Sequence, residues 1–172
     1  GVVTGDMDYV AKFKYTGSVA RSLVQRTITS LESEAITSVG KYVFSGCTKM
    51  SAVYIPNVTS LGQRAFESCS ALETIDLPNV TSIETDAFYF NRNLKNVYIQ
   101  NVETLGLNVF NQCPALASIH LPATPPTVSG SSLLPSNSKC VFYVPTGSLA
   151  AYQAHSFWGS MTTKYSFVEE DR

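Results

Sequence analysis

The sequence predicts a short solenoid of about six stacked turns. Two observations carry that reading. Phe44, Phe66, Phe88 and Phe110 follow one another at intervals of 22 residues. The same interval links five further apolar columns in one register: Met50/Leu72/Leu94/Leu116, Val53/Ile75/Val97/Ile119, Ile55/Leu77/Ile99/Leu121, Val39/Leu61/Ile83/Leu105 and Ile36/Val58/Val80/Val102. The register runs from Ile36 to Leu121 without an insertion. One unit cannot bury its apolar side alone, so stacked units share a continuous core.

Each part of the unit has a physical reason. In Leu72-Glu73-Thr74-Ile75-Asp76-Leu77, Ile75 and Leu77 alternate with polar residues, as in a half-buried strand. Pro78 ends that strand, because proline donates no hydrogen bond to a ladder. The following Ala-Phe-x-x-Cys arc supplies the opposite wall, with the phenylalanine as its plug. Cys47, Cys69 and Cys113 share one phase, with Asn91 in the gap; Pro56, Pro78 and Pro122 share another, with Gln100 in the gap.

The flanks are expected to close the stack, giving one domain over residues 1–172. Residues 1–35 form an N-terminal cap and degenerate repeat, 36–122 the four regular repeats, and 123–172 a degenerate repeat and C-terminal cap. One step back from Met50 and Val53 lie Ile28 and Leu31, with Ser33 at the next core position. An amphipathic helix is expected over 18–26, and Tyr9, Val10, Phe13 and Tyr15 suit an extended segment packed on it. At the other end Leu133 takes the place of the missing phenylalanine. Cys140 to Pro145 reads as a last strand with Phe142 and Val144 inward and Pro145 in the proline slot. A helix is expected over 148–154, with Thr146 as its N-cap and Trp158 beneath it, then a short strand over 165–168. Without such caps the end turns would expose open edges.

These motifs resemble the BspA-like (treponemal-type) leucine-rich repeat. The resemblance rests on Val58-Thr59-Ser60-Leu61-Gly62-Gln63-Arg64-Ala65-Phe66-Glu67-Ser68-Cys69 and on Leu72-Glu73-Thr74-Ile75-Asp76-Leu77-Pro78. Glu84 stands where that family prefers Gly, Asn91 where it has Cys, and Gln100 where it has Pro. The resemblance implies an α/β repeat solenoid: a right-handed superhelix with one parallel sheet, short strands and capped ends. It also implies a bacterial surface or secreted protein, and the strand face as the binding face.

Composition narrows the function. The chain has 172 residues, 44% hydrophobic and 11% aromatic, which excludes disorder. Twelve Lys and Arg against 13 Asp and Glu leave a net charge of −1 without a basic run, so nucleic acid is not an expected partner. No uninterrupted apolar stretch approaches the ~18 residues of a membrane span. Gly1 to Asp6 shows no signal-peptide pattern. No Walker motif or dinucleotide-binding glycine pattern is present, and no cofactor is expected.

Catalysis and metal binding find little support. The only histidines are His120 and His155. His120 is expected to face outward on its strand, two turns and ~10 Å from Asp76, too far for a triad link. Ser118 is near in sequence but forms no triad with His120 by position alone. The four cysteines lack metal-ligand spacing, and no metal site is expected. The column of Cys47, Cys69 and Cys113 suits buried thiols better than a disulfide between Cys47 and Cys69, and Cys140 falls outside it. The sequons at Asn57 and Asn79 recur at the repeat step, and a turn-stabilising role fits them better than glycosylation.

The surface is therefore where function is sought. Glu32, Tyr54, Asp76, Tyr98, His120 and Tyr143 form one outward stripe, beside Ser51, Glu73, Lys95 and Ala117 and then Ala52, Thr74, Asn96 and Ser118. Tyrosine brings contact area at low entropic cost and keeps a polar tip. It is also a good strand former, so the stripe reads either as a binding surface or as sheet packing. Candidate ligand-binding residues are Tyr54, Asp76, Tyr98, His120, Tyr143, Glu73, Lys95 and Asn96. Tyr89 and Phe90, on the outer arc, form a second candidate surface. The leading expectation is a monomeric, non-catalytic module that binds a protein or glycan ligand at a bacterial surface. The alternative is a structural segment of a larger surface or phage-tail-like assembly.

Overall fold

The structure is a computed structural model and describes residues 2–4, 27–130 and 139–171. The helix expected over 18–26, Tyr9, Val10, Phe13, Tyr15 and Leu133 lie outside the described residues. Within the repeats every turn of chain contributes a strand to each of two sides. The main strand face carries β1 (Val2–Thr4), β2 (Ser30–Glu32), β4 (Ala52–Tyr54), β6 (Thr74–Asp76), β8 (Asn96–Tyr98) and β10 (Ser118–His120). The second side carries two-residue strands from the V-T-S-L segments and their equivalents: β3 (Ser38–Val39), β5 (Ser60–Leu61), β7 (Ser82–Ile83), β9 (Thr104–Leu105) and β11 (Thr127–Val128). The single sheet read from the sequence is thus accompanied by a second parallel ladder, ordered β11-β9-β7-β5-β3.

Register follows the repeat: Ile75 pairs with Val97 and Val97 with Ile119, so each apolar column becomes a column in space. The columns form one continuous core, with Leu72, Ile75, Leu77, Leu94 and Val97 at 0% exposure. The phenylalanines stack ring on ring, with centroids 5.2, 5.6 and 5.8 Å apart from Phe44 to Phe110. Burying each such ring contributes ~1.5–3 kcal/mol before stacking is counted.

The arcs turn sharply because two positions per unit adopt the left-handed backbone region. One holds Tyr42, Arg64, Asp86 and Asn108; the other holds Gly46, Ser68, Phe90 and Gln112. Close approach also dictates Gly106, where an added Cβ would sit 2.4 Å from the Thr85 nitrogen. Glu84 occupies the same column one turn earlier, and its carboxylate accepts from the Gln63 backbone N–H at 2.9 Å.

Polar side chains join the turns. Asn57, Asn79 and Asn101 each donate to a carbonyl of the preceding turn, at 2.8, 2.9 and 2.6 Å. That is the turn role expected for the sequon asparagines. All four cysteines are free and buried. The Cys69 and Cys113 thiols donate to the Phe44 and Phe88 carbonyls, both at 3.2 Å. Asn91 performs the same service, donating to the Phe66 and Phe88 carbonyls at 2.8 Å each. Its Oδ1 is left buried without a partner.

The C-terminal cap begins with β12 (Val141–Pro145), which pairs with β10 and buries Phe142 and Val144. Helices α1 (Leu149–Ala154) and α2 (Trp158–Thr162) follow, then β13 (Ser166–Glu170), parallel to β12. Trp158 is fully buried edge-on to Phe142 and Tyr152. Its indole N–H donates to the Pro126 carbonyl at 2.8 Å, as Tyr152 donates to that of Pro122 at 2.7 Å. Thr146 is not the N-cap of α1: its hydroxyl donates to Asp171 at 2.6 Å, and the N-cap position belongs to Ser148. The capping acceptor arrives from β13, where Glu169 takes the Leu149 N–H at 2.9 Å.

Candidate functional site

The strand face is built by the outward alternate positions of β2, β4, β6, β8, β10 and β12. Its outward stripe has two characters. At the C-terminal end Tyr98, His120 and Tyr143 form a stack, with His120 4.2 Å from the Tyr98 ring and 4.7 Å from that of Tyr143. Glu170 reaches across β12 to His120, its carboxylate 2.7 Å from Nδ1. His120 is consequently only 9% exposed, not outward in solvent as its strand position suggests. The cause is the cap: β13 extends to Glu170, beyond the strand expected to end at 168.

At the N-terminal end the stripe is open. Tyr54 is 53% exposed, and Asp76 and Glu32 are also exposed. β4 and β6 lie side by side, but the ladder does not join them: β4 ends one sheet and β6 begins another. Val53 is only half-buried at this seam, whereas its column partners Ile75 and Val97 are fully buried.

The remaining predicted site residues are largely committed to one another. Lys95 and Glu73 form an ion pair at 2.8 Å across adjacent turns. Ser118 donates to the Asn96 side-chain oxygen at 2.9 Å, while the Asn96 amide lies 3.5 Å from the Thr74 hydroxyl. On the outer arc Tyr89 and Phe90 stack at 5.9 Å, and the Arg92 guanidinium covers the Phe90 ring at 4.3 Å. Phe90 has a φ of 63°, a region that bulky residues enter at a cost of ~1–3 kcal/mol. Sequence reasoning missed Glu170, whose role depends on a contact 50 residues away in sequence.

Ser118 and His120, neighbours on the strand face, do not pair as nucleophile and base. The hydroxyl of Ser118 is given to Asn96 and Nδ1 of His120 to Glu170. No group of three or more potential metal ligands occurs among the described residues. Burial pushes the Cys113 and Cys140 thiols up to about 12, which holds them neutral and unreactive. No helix among the described residues is long and apolar enough to cross a membrane.

Fold and site thus define a repeat solenoid of stacked turns with one broad strand face. The family model described as BspA type leucine-rich repeat region matches residues 21–138 in six copies, and the chain belongs to that family. Among solved structures the chain is similar to a leucine-rich repeat protein of T. pallidum, at 24% identity and a TM-score of 0.62, over 69% of this chain and 60% of that one. It is also similar to the pneumococcal vaccine antigen PcpA, at 21% identity and a TM-score of 0.64, over 87% of this chain and 43% of that one. A leucine-rich cell surface protein from Faecalibacterium prausnitzii aligns at 21% identity and a TM-score of 0.58, over 83% of this chain and 39% of that one. These likenesses concern the fold, and the chain spans between 39% and 60% of the length of the three. No curated protein matches the sequence.

Proposed function

We propose that this chain is a non-catalytic binding module that recognises a protein or glycan ligand at a bacterial surface, as a monomeric single domain over residues 1–172. The observation that carries the reading is the open half of the strand face, where Tyr54 is 53% exposed beside the exposed Asp76 and Glu32. A large aromatic left in solvent beside polar neighbours has the composition of an interface anchor. The surface setting draws support from two structural neighbours, described as a cell surface protein and a vaccine antigen. The buried stack at His120 and the Glu73–Lys95 pair favour a structural role for the other half.

The test is binding of the purified chain to an array of matrix proteins and glycans, with Tyr54→Ser alongside. Selective binding that the variant loses while its circular dichroism is unchanged supports the strand face. Equal binding by both forms directs attention to the arc at Tyr89 and Phe90, or to the alternative of a structural segment in a larger assembly.

A further inference from the structure

We infer that the open half of the strand face holds a slot for one basic side chain, an arginine presented by a protein partner, walled by Tyr54 and Tyr98 and floored by Asp76. This deepens the strand-face reading above and rests on it. Three observations place the slot. Tyr98 has one ring face against His120 at 4.2 Å, so its other face turns towards the Asp76 column. Asp76 pairs in register with Tyr98, and β6 lies beside β4, so a single short side chain separates Tyr54 from Tyr98 along the stripe. One ladder spacing of ~4.8 Å separates Asp76 from Tyr98, and the unladdered seam between β4 and β6 sets the distance on to Tyr54.

A planar group held between two rings needs ~7–8 Å, at ~3.5–4.0 Å per contact. Tyr54, half in solvent at a seam without ladder bonds, is the wall that closes on such a group.

Charge selects the occupant. Asp76 is exposed and takes part in none of the ion pairs found among the described residues. Glu32 flanks Tyr54 on its other side through the β2–β4 register. The stripe itself carries no Lys or Arg, and Lys95 in the neighbouring column is held by Glu73. A cation is therefore attracted and an acidic sugar repelled. Among cations the guanidinium fits best, because it stacks on aromatic faces and meets a carboxylate with two parallel N–H donors.

The test titrates the full chain with a capped Gly-Arg-Gly peptide and its citrulline counterpart, which keeps the shape and loses the charge. Binding is followed by nuclear magnetic resonance at Tyr54, Asp76 and Tyr98. Saturable shifts at these three residues are expected with the arginine peptide. The dissociation constant should rise about 3-fold or more with citrulline, and likewise in Asp76→Asn and Tyr54→Ser. Equal affinity for both peptides, shifts confined to other residues, or no shifts at all would overturn the slot. So would a neutral oligosaccharide that displaces the arginine peptide from the same residues. The slot and the broader reading fail separately. A partner lost on Tyr54→Ser but indifferent to Asp76→Asn keeps the strand face and removes the slot. A partner indifferent to both variants, beside normal arginine-peptide shifts, keeps the slot and removes the strand face as that partner's site.

Discussion

Tyr54 and His120 occupy the same repeat position on the same face, three turns apart, yet one is 53% exposed and the other 9%. The difference comes from their neighbours. His120 has an aromatic ring on both sides and a carboxylate from β13 over it. Tyr54 has acidic side chains on both sides in the stripe and a break in the ladder beside it. A repeat column therefore assigns direction and spacing, while function depends on what each turn and the cap place next to it. The closed half resembles an extension of the core, and the open half offers rings and charge to a partner.

The largest effect expected on this contrast is from Trp158→Ala. Truncating a fully buried tryptophan costs ~3–5 kcal/mol, and here it also orphans the Pro126 carbonyl. Urea denaturation should show the loss, and hydrogen exchange should place it first in β12 and β13. Uniform loss across all turns would mean that the cap and the repeats unfold as one unit.

Glu170→Ala should cost ~1–3 kcal/mol, because it removes the acceptor at Nδ1 of His120. Its sharper readout is solvent access to His120, measured by photo-oxidation or diethyl pyrocarbonate labelling. A label-resistant His120 in the variant would show that the tyrosine stack alone closes that half.

The cysteines test whether the open seam reaches the core. All four are buried, and for Cys113 and Cys140 burial raises the thiols to about 12, above the ~8.5 of an exposed cysteine. Such a group favours folding in its protonated form. The stability it contributes is fully present below pH ~8.5 and is lost as pH rises from there towards 12. Alkylation at pH 8 should be slow at every site and become fast on unfolding. Selectively fast labelling of Cys47 or Cys69 would show the seam opening inward.

The smallest stability effect is expected for Tyr54→Ser, within about 0.5 kcal/mol, since the ring is half exposed. A much larger loss in thermal denaturation would mean that Tyr54 packs the sheet instead of awaiting a ligand.

Much of the fold was legible in the sequence. The six apolar columns become spatial columns because an inserted-residue-free repeat leaves the chain one way to bury them all. Asn91 was legible as a substitute in the cysteine column, and both side chains carry a donor that reaches the phenylalanine carbonyl of the preceding turn, Phe66 for Asn91 and Phe88 for Cys113. The second ladder was harder to read. A two-residue strand has too little alternation to announce itself, and Ser60-Leu61 becomes one only beside Ser82-Ile83. The N-cap of α1 misled for a related reason: Thr146 has the right chemistry, but Glu169 reaches Leu149 from a strand 20 residues away.

For the candidate site the division is clear. The sequence by itself determined the stripe, its tyrosines and its carboxylates, because strand side chains alternate and the repeat stacks equal positions. Only the tertiary structure decided which of them meet solvent. Exposure depends on contacts between residues far apart in the chain, and here a carboxylate 50 residues from His120 closes one half, while a missing ladder between neighbouring turns leaves the other open.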